Sequence, residues 1–221
     1  PDFWDWHCRR IDYAITLKNK NTATYIKLFK AGNLSKTFYK KADNYSSLEG
    51  SLYVPSNSDK IRLNFYDKHA QLRELKGIVN DITKTSDNLR IEVQCNRKKL
   101  DHLRKKFNTG SNTVKNMLDL EICQYIITSH YNMICDVQSY FSFSMASEQL
   151  HTHQSKLNYS ADELIKTLEI IRLRGSIWKS KINFFAGLNA FDKRIRDIKN
   201  IGINPVTLPD NLQITHLPNL Y

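Results

Sequence analysis

Apolar and polar residues alternate in three stretches of the first hundred positions. That period of two predicts three half-buried β-strands. In Arg10–Leu17, Ile11, Tyr13, Ile15 and Leu17 share one face, and Arg10, Asp12, Ala14 and Thr16 the other. In Ile61–Lys68 the split is Ile61, Leu63 and Phe65 against Arg62, Asn64, Tyr66 and Lys68. In Leu89–Asn96 it is Leu89, Ile91, Val93 and Cys95 against Arg90, Glu92, Gln94 and Asn96. Ser51–Val54 is a shorter strand stopped by Pro55, and the turn residues Asn57-Ser58-Asp59 join it to the second stretch as a hairpin. A weak strand is expected over Lys36–Lys41. Helices are expected over Thr22–Ala31, ending near Gly32, over His69–Lys76, and over Arg97–Phe107, where Leu100, Leu103 and Phe107 form the apolar stripe.

Beyond residue 110 the period lengthens. Val114, Met117, Leu118, Ile122, Tyr125 and Ile126 recur at helical spacing and predict one helix from Thr113 to about Val137. Ser160 with Glu163 three positions on is a capping-box signal that opens a helix over Ala161–Ile171. Ile177–Leu188 and Asn189–Asn200 read as a helix pair about Gly187, closed by Ile201-Gly202 and Pro205. The tail from Val206 is irregular. The expected class is α+β: a mainly antiparallel sheet with helices on one face, followed by a helical C-terminal region. The sheet domain is taken as residues 1–110 and the helical region as 111–221. The chain opens Pro-Asp-Phe without Met, so its natural N-terminus is expected to lie upstream.

Charge narrows the class of partner. Lys and Arg number 33 against 22 Asp and Glu, a formal net charge of +11, which favours a polyanion. Nucleic acid leads and an anionic membrane surface comes second. No apolar run is long enough to span a bilayer, and no signal-peptide pattern is present. The four cysteines are scattered with no C-x-x-C pair, as suits reduced thiols in a cytoplasm.

The three polar strand faces together offer Asp12, Tyr66, Lys68 and Glu92. A tyrosine hydroxyl can attack a phosphodiester and hold the product as a covalent ester. Its ordinary pKa is about 10, so a cation such as Lys68, two residues on along the same face, would favour the phenolate. Two carboxylates on neighbouring strands can hold Mg²⁺ or Mn²⁺ against the phosphate. A solvated sheet face carries the same residue types without any chemistry, and periodicity alone does not bring the strands together.

These segments resemble a family. Arg10-Ile11-Asp12, Phe65-Tyr66-Asp67-Lys68 and Arg90-Ile91-Glu92 are similar to the three strand motifs of the gene II/X phage and plasmid replication proteins. The segment Phe191–Val206 resembles the closing helix and Gly-Ile turn of the filamentous-phage type. The resemblance covers most of the chain in the family's order; the long region upstream of the first motif in the phage proteins has no counterpart here. It implies a rolling-circle replication initiator that nicks one strand of an origin. The tyrosine joins to the 5′ phosphate, the free 3′ hydroxyl primes synthesis, and the displaced strand is later rejoined. On this resemblance Tyr66 matches the nucleophile and Lys68 its companion lysine. Asp12 and Glu92 match strand carboxylates assigned to a divalent metal, and Arg10 and Arg90 are expected to hold phosphates or brace the carboxylates. Single-stranded or melted origin DNA, host replication proteins and the cytoplasm of a bacterial host are the implied setting.

Other candidates weigh less. His7 and His69 are possible third metal ligands. His151-Thr152-His153 has the form of a metal motif but lies in a polar stretch between helices, where coincidence is the better reading. Tyr13, Tyr131 and Tyr140 fall on apolar stripes and read as core. Further DNA contacts are expected from Arg62, Arg97, Lys98 and Lys99, with more from Arg104, Lys105 and Lys106. The clusters Arg172, Arg174, Lys179, Lys181 and Lys193, Arg194, Arg196, Lys199 lie on the C-terminal helices, where a helix-turn-helix about Gly187 competes with plain packing. Rival functions are a non-catalytic DNA-binding protein of plasmid or phage replication and mobilisation, and a structural protein whose basicity is incidental.

Overall fold

The computed structural model describes residues 2–32, 50–56, 58–74 and 86–220. It divides into two compact units, residues 1–27 with 34–133 and residues 28–33 with 134–221, so the sequence-based boundary at 110 falls inside the first. The strand expected over Lys36–Lys41 lies outside the described residues.

The alternating stretches become β1 (Arg10–Lys18), β2 (Ser51–Pro55), β3 (Ile61–Asp67) and β4 (Asn88–Asn96). They form one antiparallel sheet in the order β1-β4-β3-β2. The register aligns the apolar faces row by row: Tyr13, Val93, Leu63 and Val54 in one row, Ile15, Ile91, Phe65 and Leu52 in the next. A slip of one residue would turn every apolar side chain to the wrong side, which is why the pattern specifies this register.

Three helices follow the strands directly. α1 (Thr22–Ala31), α2 (Lys68–Glu74) and α3 (Arg97–Phe107) follow β1, β3 and β4. Asn96 caps α3, its side chain accepting from the Lys99 amide, and Leu100 and Leu103 on the buried stripe are fully enclosed. The single helix expected from Thr113 to Val137 is two, α4 (Val114–Met117) and α5 (Leu120–Cys135). The break has a local cause: the Asp119 side chain accepts the Glu121 amide and restarts the helix, while the Tyr13 hydroxyl donates to the Met117 carbonyl at 2.8 Å. Met117, Ile122 and Ile126 add to this core.

The second unit is helical apart from a two-residue pair, β5 (Tyr140–Phe141) with β6 (His216–Leu217). Its helices are α6 (Phe143–Thr152), α7 (Ala161–Arg174), α8 (Ile177–Ile182) and α9 (Leu188–Asn200). The capping box at Ser160 and Glu163 is formed, and α7 runs one turn past the expected end to Gly175, whose φ of +74° closes it. Of the expected pair about Gly187, the first helix ends early, at Ile182. Ala146, Leu150, Leu164, Leu168, Ile198 and Ile203 make the core of this unit. Among the described residues no helix is long and apolar enough to cross a membrane.

Candidate active site on the polar face of the sheet

The register that aligns the apolar rows also assembles the opposite face. Ala14, Glu92, Asn64 and Tyr53 form one cross-strand row; Thr16, Arg90, Tyr66 and Ser51 form the next; Asp12, Gln94 and Arg62 form the row on the other side. Asp12, Glu92 and Tyr66 therefore share one side of the sheet, as expected.

Glu92 is the hub. Its Oε1 accepts from Asn64 Nδ2 at 2.9 Å and from Gln94 Nε2 at 2.8 Å. Its Oε2 accepts from the Tyr66 hydroxyl at 3.2 Å and lies 3.6 Å from Arg90 Nε. Burial acts to raise the Glu92 pKa, but the bonds from Gln94, Asn64 and Tyr66 and the Arg90 charge outweigh it, and the carboxyl sits below its ordinary value. Arg90 also reaches Thr16 Oγ1, so it braces the carboxylate and β1 together.

Tyr66 is only 5% exposed. Burial first, and then the Glu92 charge, push its pKa up to about 12, with Arg90 acting the other way. The expected place of Lys68 beside Tyr66 on the strand is corrected. Lys68 is not on the strand face, because β3 ends at Asp67 and Lys68 opens α2. Its ammonium lies 5.8 Å from the centroid of the Tyr66 ring, a cation–π position, and donates to Gln71. Burial, and then Arg90, lower the Lys68 pKa. The polar face is also less open than the alternation implies, since Asn64 is 3% exposed.

Asp12 lies diagonally from Glu92, a spacing on the order of 7 Å in antiparallel sheets, and is held by its neighbour: Arg10 Nε and Nη2 donate to its two oxygens at 2.7 and 2.5 Å. Among the described residues no three His, Cys, Asp or Glu side chains converge as a metal cage. One observation favours a hard cation: Asn64 Oδ1, beside Glu92, is buried without a hydrogen-bond partner, and it is an oxygen of the kind Mg²⁺ takes.

The DNA-contact candidates separate. Arg10, Arg62, Arg97 and Lys98 are exposed at the end of the sheet where β1 begins and β4 ends. Lys99 is half-buried, and burial lowers its pKa. In the second unit Arg172, Lys181, Arg194 and Lys199 are ion-paired with Asp210, Asp192, Glu163 and Asp136, which favours packing over groove reading for these four. His151 lies in the last turn of α6 and His153 is its C-cap; His151 faces Asp162 at 3.8 Å and His153 Nδ1 bonds the Gln149 carbonyl. Tyr13, Tyr131 and Tyr140 are buried, as expected.

Three residues of the face had no role in the sequence reading: Asn64, Gln94 and Tyr53. The first two stand in the alternating pattern, where amides are ordinary on a wet sheet face. Tyr53 is the second phenol on this side, half-buried, its ring stacked 6.5 Å from that of Tyr66. Its place depends on the β2–β3 register, which the turn sets and composition does not. No protein-family model, curated protein or solved structure matches the chain.

Proposed function

We propose that the polar face of the sheet binds a DNA strand and cuts it by transesterification, with Tyr66 as the attacking residue, in the manner of the rolling-circle initiators whose motifs it resembles. The observation that carries this reading is the contact of the Tyr66 hydroxyl with Glu92 on the face that also bears Asp12. In the step, the Tyr66 proton passes to solvent as the phenolic oxygen bonds to phosphorus. The bond from phosphorus to the 3′ oxygen breaks, and that oxygen takes a proton from solvent to become the priming hydroxyl. Asp12, Glu92 and the Asn64 carbonyl oxygen are the groups that would hold Mg²⁺ or Mn²⁺, which would offset charge on the phosphate. Arg10, Arg62, Arg97 and Lys98 supply backbone contacts that give affinity without sequence reading. The setting is replication of a phage or plasmid in a bacterial cytoplasm, with host replication proteins as partners.

A specific observation favours a second reading. A phenol that is 5% exposed with its pKa raised to about 12 is a poor nucleophile, and Asp12 is already paired with Arg10. On that reading the protein is a non-catalytic DNA binder. Incubation with single-stranded origin oligonucleotides and Mg²⁺ or Mn²⁺, followed by denaturing electrophoresis, separates the two. A covalent adduct that disappears in Tyr66→Phe and persists in Tyr53→Phe supports the first. An adduct that survives Tyr66→Phe removes Tyr66 as nucleophile, and its loss in Tyr53→Phe alone would move the role to that phenol. Salt-sensitive binding without any adduct supports the second.

A further inference from the structure

The N-terminal segment carries three aromatic residues that the fold does not bury: Phe3, Trp4 and Trp6 are 54%, 50% and 57% exposed. They are not a loose tail. Residues Phe3–Asp5 form a 3₁₀ turn capped by Asp2, whose side chain accepts the Trp4 amide. The Trp6 carbonyl accepts from the Val114 amide at 2.9 Å, and the Cys8 amide donates to the Asn112 carbonyl at 2.8 Å, so the segment is pinned to the start of α4. The rings support one another: Phe3 meets Trp4 edge-on at 5.6 Å and Trp6 at 5.7 Å. A cluster of large aromatic faces, held rigid yet left in water, has its ordering cost already met before a ligand arrives.

Its neighbourhood is cationic. Arg9, Arg10, Lys60, Arg62, Arg97 and Lys98 are all exposed at this end of the sheet, against the acids Asp12 and Asp59 there and Asp2 and Asp5 in the aromatic segment itself. Arg10, Lys60, Arg62, Gln94 and Asn96, with the acid Asp59 among them, line a groove of about 200 Å³ on the polar face. Trp6 precedes Arg10 by four residues, a reach of at most about 14 Å. Four more residues along β1, about 13 Å, lead to Ala14, which pairs with Glu92. Cations for phosphates followed by flat rings for bases is the composition of a single-strand track.

We propose that Trp4 and Trp6 are a stacking platform for an unpaired base of a single-stranded nucleic acid whose backbone lies along the cationic end of the sheet. This rests on the polar face being a nucleic-acid surface, and it does not require Tyr66 to be the nucleophile. Duplex DNA, with its bases stacked inside, offers the rings no face.

The test is a tryptophan-fluorescence titration of the intact chain with unstructured oligothymidylate in EDTA, where no cutting occurs, paired with anisotropy of a labelled oligonucleotide. Quenching on binding, affinity that falls with salt, and a loss of about ten- to a hundredfold in the double variant Trp4→Leu/Trp6→Leu are expected, with circular dichroism to report its folding. The pair Trp4→Phe/Trp6→Phe keeps flat rings and should retain most of the affinity, which answers the case in which the leucine variant fails to fold. Unchanged affinity in the leucine variant, or loss equal in both pairs, overturns the platform. So does quenching by anionic phosphatidylserine vesicles with none by oligothymidylate. The adduct assay on Tyr66 is scored separately, so a failed platform and a failed nucleophile are told apart.

Discussion

The contact between Tyr66 and Glu92 can be measured without any DNA. The Tyr66 hydroxyl donates to a carboxylate in a site where the tyrosine is 5% exposed, so solvent does little to weaken the bond. Hydrogen bonds to charged groups contribute about 1.5–3 kcal/mol. At 3.2 Å this one is longer than the usual hydroxyl–carboxylate spacing, which places it at the lower end, about 1.5 kcal/mol. Tyr66→Phe removes the donor but leaves Glu92 with Asn64, Gln94 and Arg90, so no buried charge is stranded, and the variant stays folded at a cost of about 1–2 kcal/mol. Glu92→Gln keeps an oxygen for the two amides but sets an uncharged group opposite Arg90, costing about 2 kcal/mol or more. If the two residues touch as described, the double variant is less destabilised than the sum of the singles by about 1–1.5 kcal/mol. Urea denaturation followed by circular dichroism gives all four stabilities. A coupling below about 0.3 kcal/mol, the scatter of independent sites, would refute the geometry of the site.

The same groups set the pH limits of the fold. The Glu92 carboxyl has its folded pKa below the ordinary value, so its contribution is complete above about pH 4.3 and is lost as pH falls through the folded value; Glu92→Gln should flatten that limb in acid urea melts. Tyr66 moves the opposite way: with its pKa raised from about 10 to about 12, the neutral phenol belongs to the folded state, and stability falls as pH rises from about 10 to 12, by up to about 1.4 kcal/mol per pH unit. Cys95, also raised to about 12 by burial, adds in the same sense, and Tyr66→Phe should reduce the alkaline slope measured by thermal melts at stepped pH. In the helical unit, Ser160→Ala removes one half of the capping box and should cost about 1 kcal/mol in the same melts; no change would mean that α7 does not depend on its cap.

Much of the sheet was legible because both of its faces obey one period. Four strands, their hairpin and the sharing of a side by Asp12, Tyr66 and Glu92 follow from alternation once the strands are neighbours. What alternation does not carry is the end of a strand. Lys68 fits the polar face by parity, yet the Asp67 side chain accepts the His69 amide and turns the chain into a helix there. The break at Leu118 was hidden for a related reason: the apolar positions on either side continue the helical pattern, and only the capping by Asp119 and the long-range bond from Tyr13 interrupt it. Burial on the polar side was hidden too. Asn64 and Tyr66 look like ordinary wet-face residues, and their enclosure depends on side chains such as Tyr53 that arrive from another strand.

The pairing of β1 with β4 has a consequence for how the protein acquires its site. The β2–β3 hairpin closes over a turn of a few residues, whereas Lys18 must find Asn88 and Arg10 must find Asn96. Closing so long a loop costs more chain entropy and slows the step. On a ribosome β1 is made first but waits, unpaired on this side, until β4 has emerged. Asp12 and Glu92 therefore meet only when the last strand docks, and a nascent or partly folded chain carries neither the assembled carboxylates nor the chemistry proposed for them.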